Sequence, residues 1–131
     1  MPLSNDKEER ETALYHGTTL DVAELIVARK SFDCRETFFA STRELARYFA
    51  VHSTGKVRRA QSPAIVRVAL YETDLNDWKR NRLVASTSFD EGDATALRGK
   101  TQLVFSSEGI RMLNSHMFSG DLAFETLHAG A

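Results

Sequence analysis

The stretch Tyr15-His16-Gly17-Thr18-Thr19 puts a histidine at the end of a predicted strand, with a glycine directly behind it. An imidazole can both donate and accept hydrogen bonds. A glycine lets the main chain come against a ligand with no Cβ in the way. Together they suit a binding site for a small polar ligand, the alternative being a histidine that satisfies only its own hydrogen bonds at a strand end. Thr37-Phe38-Phe39-Ala40-Ser41 follows, then Leu45-Ala46-Arg47-Tyr48, and much later Gly99-Lys100-Thr101-Gln102-Leu103-Val104-Phe105. Phe38 and Tyr48 offer aromatic faces for stacking, with a core position as the competing role for each. Cys34 is the only cysteine, so neither an intramolecular disulfide nor a zinc-ligand spacing arises.

The elements that must position these residues are legible from periodicity. Thr12 to Thr18 reads as a strand, and Thr19 can cap a helix whose inward stripe is Val22, Leu25, Ile26 and the Arg29 stem. Glu36 to Ala40 reads as a second strand. Ser41-Thr42-Arg43-Glu44 has the spacing of a capping box that opens a helix to about His52, with Leu45 and Phe49 facing inward. Ser53 to Ser62 is polar and reads as a loop carrying Lys56, Arg58 and Arg59.

Ala64 to Tyr71 alternates, with Val66, Val68 and Leu70 on one face. Arg82 to Ala85, Thr101 to Phe105 and Leu122 to Leu127 complete the predicted strands, with turns at Gly92, Gly99, Gly109 and Gly120 and little helix between them. Two strand-helix units followed by mainly antiparallel strands imply an α+β fold.

The chain has 131 residues, 42% hydrophobic and 27% charged, which suits one globular domain over residues 12–131. Met1 to Glu11 carry no apolar run and read as a frayed lead-in rather than a secretory signal. Lys and Arg number 17 against 18 Asp and Glu, a net charge of −1 that gives no global attraction to a polyanion. No apolar run reaches the roughly 18 residues of a membrane-crossing helix. A cytoplasmic protein without a membrane partner is the expectation.

In order and spacing, these motifs resemble the ADP-ribosyltransferase superfamily, in its histidine-tyrosine-glutamate branch of poly(ADP-ribose) polymerase-like and diphtheria toxin-like enzymes. The resemblance covers about Leu14 to Phe105. It implies an ADP-ribosyltransferase-like fold with a split β-sheet core and NAD as substrate. On it, His16 would hydrogen-bond a ribose hydroxyl and the Gly17 backbone would hold the nicotinamide carboxamide. Tyr48 would stack on nicotinamide, with Thr18, Phe38 and Ser41 completing the cofactor contacts. Lys30, Arg35, Arg43 and Arg47 are candidates to meet the diphosphate.

The third motif departs from the family. Gln102 stands where the resemblance calls for a glutamate, whose carboxylate would stabilise the positive charge developing on the sugar as the nicotinamide bond breaks. Glu108, or Asp90, Glu91 and Asp93 in the preceding loop, are candidate substitutes. Ser86-Thr87-Ser88 resembles a motif of the superfamily's other branch and reads here as structural. The resemblance implies an NAD-binding mono-ADP-ribosyltransferase acting on an unidentified protein or nucleic-acid acceptor. The alternatives are an RNA 2′-phosphotransferase-like enzyme, a catalytically inactive NAD-site binding module and an unrelated interaction domain.

Overall fold

A computed structural model describes residues 10–57, 62–89, 99–116 and 122–127. In chain order the elements are β1 (Glu11–Thr19), α1 (Leu20–Arg29), β2 (Thr37–Ala40), α2 (Arg43–Val57), β3 (Pro63–Tyr71), α3 (Glu72–Arg80), β4 (Val84–Ser88), β5 (Thr101–Phe105), α4 (Ser107–His116) and β6 (Ala123–Thr126). The fold is α+β. Among the described residues six strands form one sheet in the order β4-β5-β2-β1-β3-β6, with every adjacent pair antiparallel.

Strand pairing is uneven across this sheet. β1 runs against β3 from Glu11↔Tyr71 to Thr19↔Pro63, and β2 runs against β5 from Thr37↔Phe105 to Ala40↔Gln102. Between these halves the register holds at Tyr15↔Ala40 alone. The sheet is therefore continuous but nearly parted along the β1/β2 seam.

Helices cover the two faces unequally. Ala23 and Ile26 of α1, Leu75 and Trp78 of α3, and Ile110 and Leu113 of α4 pack with Leu14, Phe39, Val66, Leu103 and Phe105 into the larger core. On the opposite face α2 places Leu45, Ala46 and Ala50 against Ala40, Ile65 and Phe89. β3 is central, so both of its side-chain rows are largely buried.

Several boundaries differ from those expected. Arg10 and Glu11, assigned to the lead-in, belong to the fold: the Arg10 carbonyl accepts from the Glu72 amide at 2.7 Å, and Glu11 opens β1. The cap of α2 is Thr42 rather than Ser41, its hydroxyl accepting from the Leu45 amide at 3.3 Å. α2 continues through Val57, so the first part of the predicted loop is helical, while Arg58 and Arg59 lie outside the described residues.

Helices α3 and α4 occupy stretches expected to hold little helix, and Gly109 lies inside α4 instead of at a turn. A Cβ at Gly109 would come within 2.5 Å of the Leu83 carbonyl oxygen, so close helix-strand packing requires the glycine there. Gly92 and Gly120 lie outside the described residues.

Candidate functional site

The seam opens into a cleft of about 430 Å³, lined by both halves of the sheet and by α1. That volume is within the usual range for small-molecule sites, roughly 300 to 1,000 Å³. β1 contributes His16 and Gly17, β2 contributes Thr37 and Phe38, and α2 contributes Phe49. The connection from α1 to β2 supplies Phe32, Asp33, Arg35 and Glu36.

Val22 and Leu25, expected in the inward stripe of α1, instead face this cleft and are 38% and 47% exposed. Phe38 is 45% exposed at its mouth. Ala23 and Ile26 do the burying on that helix. Three large apolar side chains left open around one hollow mark it as a place for a ligand or partner.

His16 is the polar centre of the cleft. Its ring lies edge-on to Phe32 at 5.8 Å and tilted against Phe39 at 5.4 Å. Its Nδ1 donates to the Phe38 carbonyl at 2.8 Å, a side-chain bond across the seam where the ladder is missing. A carbonyl only accepts, so the proton sits on Nδ1 and Nε2 of the neutral ring is an acceptor. Burial pushes the His16 pKa below its ordinary 6.5, the Phe38 bond opposes this, and the Arg35 charge lowers it further. The neutral imidazole is thus the favoured form near neutrality.

Gly17 plays two parts. A Cβ there would stand 2.1 Å from the Ala46 carbonyl oxygen and 2.7 Å from the Ala50 amide nitrogen, so glycine is required for α2 to pack onto β1. Its peptide groups face elsewhere. The Leu20 amide donates to the Ser62 carbonyl beyond the end of β3, which sets even-numbered peptide groups of β1 toward β3. Odd-numbered ones, Tyr15 and Gly17, turn toward β2. Since the register with β2 holds only at Tyr15, the Gly17 donor and acceptor are directed into the opening.

The remaining sequence candidates fall elsewhere. Tyr48 packs in the α2-face cluster, its ring 5.2 Å from Phe89 and 6.1 Å from Phe49, and Phe49 is the α2 aromatic that reaches the cleft. Gln102 pairs with Ala40 and Thr87. Its neighbours Leu103 and Phe105 point into the larger core with Phe39, so alternation places Gln102 on the α2 face. His16, by the same rule, is on the other face. Thr18 and Ser41 are not among the lining residues.

Of the proposed cations, Arg35 lines the cleft and is joined by Arg29, whereas Lys30, Arg43 and Arg47 do not line it. Arg43 pairs with Glu125 beside a separate hollow. Glu108 hydrogen-bonds Arg111 on α4, and the loop carboxylates Asp90, Glu91 and Asp93 lie outside the described residues. The carboxylates that do line the cleft are Asp33 and Glu36. His116 caps its own helix through Met112, and His128 lies outside the described residues. Among the described residues there is no cluster of metal-ligating side chains, and no helix is long and apolar enough to cross a membrane.

Val22, Leu25 and Phe49 read from sequence as apolar stripe positions and Phe32 stands in no motif, because apolar periodicity marks burial without distinguishing a core from a cleft wall. No protein-family model, curated protein or solved structure matches the chain.

Proposed function

We propose that the seam cleft binds NAD or a closely similar nicotinamide dinucleotide, in a fold of ADP-ribosyltransferase type. The observation that carries this reading is the His16-Gly17 pair placed where β1 parts from β2. A backbone donor and acceptor side by side match a primary carboxamide, and a neutral Nε2 accepts from a sugar hydroxyl. Phe38 and Phe49 supply ring-stacking surface, and Arg29 and Arg35 supply positive charge for a diphosphate. The two strand-helix units also agree with the resemblance carried by the motifs, although its expected split sheet is here one six-stranded sheet joined at a single β1–β2 pair.

Binding is better supported than transfer. Gln102 brings no negative charge, and it lies on the sheet face away from His16. A cleft that holds NAD without the carboxylate the resemblance calls for at position 102 forgoes a contribution commonly worth on the order of 100- to 1000-fold in rate.

The test is thermal unfolding of the chain with millimolar NAD. The melting temperature should rise with NAD concentration, as mass action requires of a ligand that binds the folded state. His16→Ala should abolish the rise. Nicotinamide release in the same samples separates enzyme from binding module, and Gln102→Glu should leave that release unchanged. A melting temperature indifferent to NAD would reject the reading and leave the exposed Val22, Leu25 and Phe38 as a surface for an apolar partner.

A further inference from the structure

The wall of the cleft between α1 and β2 has no sheet ladder to hold it, yet Phe32 within it is 4% exposed. A buried peptide group needs partners for both its donor and its acceptor. Both come from one side chain 82 positions away. Asn114 Oδ1 accepts from the Phe32 amide at 2.8 Å, and Asn114 Nδ2 donates to the Phe32 carbonyl at 2.9 Å. The same Nδ2 lies 3.8 Å from Cys34 Sγ. A carboxamide presents a donor and an acceptor much as a peptide does, so Asn114 stands in for a missing strand neighbour.

The support behind Asn114 is firm. Ile110 and Leu113, on the same helix, are fully buried in the larger core. The contacts then run inward: α4 holds Asn114, Asn114 holds the Phe32 backbone, and the Phe32 ring meets the His16 ring edge-on at 5.8 Å and the Phe39 ring at 5.3 Å. Asn114 itself does not line the cleft.

We propose that Asn114 is the positioning residue of the cleft, fixing the Phe32 wall and through it the setting of the His16 ring. This inference rests on the cleft being the functional site. α4 thereby becomes part of the binding apparatus although it touches no ligand.

Asn114→Leu keeps approximate volume and removes both bonds. Asn114→Asp keeps an acceptor for the Phe32 amide and sets a second oxygen against the Phe32 carbonyl. Ser115→Ala, next door on α4, is the control. Amide exchange at Phe32 should accelerate about tenfold or more in Asn114→Leu, which loses both bonds, and by a smaller factor in Asn114→Asp, where the second oxygen repels the Phe32 carbonyl and opens the wall locally. The carbon-bound ring protons of His16 should shift in the NMR spectrum, a signature that general loss of stability without local rearrangement does not produce. NAD affinity should fall roughly tenfold, the equivalent of one such interaction, and Ser115→Ala should match the parent in all three.

Unchanged Phe32 exchange and His16 resonances would overturn the proposal, as would parental NAD affinity in a variant whose wall has opened. If the parent chain does not bind NAD, the functional reading fails, and the first two measurements still decide the positioning role. Should Asn114→Leu not fold, Asn114→Asp reads the same quantities.

Discussion

The two faces of β1 are built on opposite terms. On one, α2 lies so close that Gly17 has no room for a methyl group, and Leu45, Ala46 and Ala50 are sealed. On the other, one residue away, His16 looks into a cleft whose apolar rim at Val22 and Leu25 stays open. The difference teaches that this strand is clamped from behind so that its front can be left unfilled. Close packing on the α2 side fixes the strand that carries the neutral imidazole of His16 and the Gly17 peptide at the seam.

The strongest way to break the comparison is at the clamp. Gly17→Ala puts a Cβ into the α2 backbone, which cannot move aside as a flexible side chain would. We expect a loss of about 3 kcal/mol or more in denaturant unfolding. A variant as stable as the parent would mean α2 can retreat, and the close approach would lose its importance.

A matched pair of leucines sharpens the contrast at lower cost. Leu45 on α2 is fully buried, whereas Leu25 on α1 is 47% exposed. Leu45→Ala should cost about 2 to 5 kcal/mol and Leu25→Ala under about 1 kcal/mol. NAD binding should show the reverse order once measured on folded protein. Equal stability losses would place Leu25 in a packed core and close the cleft.

The smallest effect expected is in the pH profile. Burial chiefly, with Arg35 adding and the Phe38 hydrogen bond opposing, holds the His16 pKa below 6.5. The unfolded chain therefore binds a proton more readily than the folded one. This contribution to stability is complete above about pH 6.5 and is lost as pH falls through the lower folded-state value. Urea midpoints of the parent should decline over that interval more steeply than those of His16→Ala, and parallel curves would show that the ring is not sunk between Phe32 and Phe39.

Much of this architecture is legible in the residues themselves. The alternation of 64–71 marks β3, and Tyr15-His16-Gly17 marks the strand end that meets the cleft. The two undetected helices each have a physical excuse. α3 offers only Leu75 and Trp78 as buried apolar residues in nine mostly polar positions, a faint stripe directly after a strong strand. In α4 the glycine that signals a turn is instead demanded by the Leu83 carbonyl, a contact between segments far apart in sequence. The site divides along the same line. His16, Gly17 and Phe38 stand in local motifs, while Asn114 carries no local sign of its purpose and Gln102 follows a motif onto the face away from His16.

The register has a consequence for how the chain acquires its shape. Glu11 must find Tyr71, Thr37 must find Phe105 and Ala64 must find Thr126, so no central strand can zip to its partner through a short hairpin. Closing such long loops before any pairing energy is recovered belongs to slow folding, in the millisecond to second range. On the ribosome β1 and β2, which share a single pair, have to wait for their main partners, synthesised dozens of codons later. Shielding by chaperones during that interval would matter more to this protein than to a helical bundle of equal length.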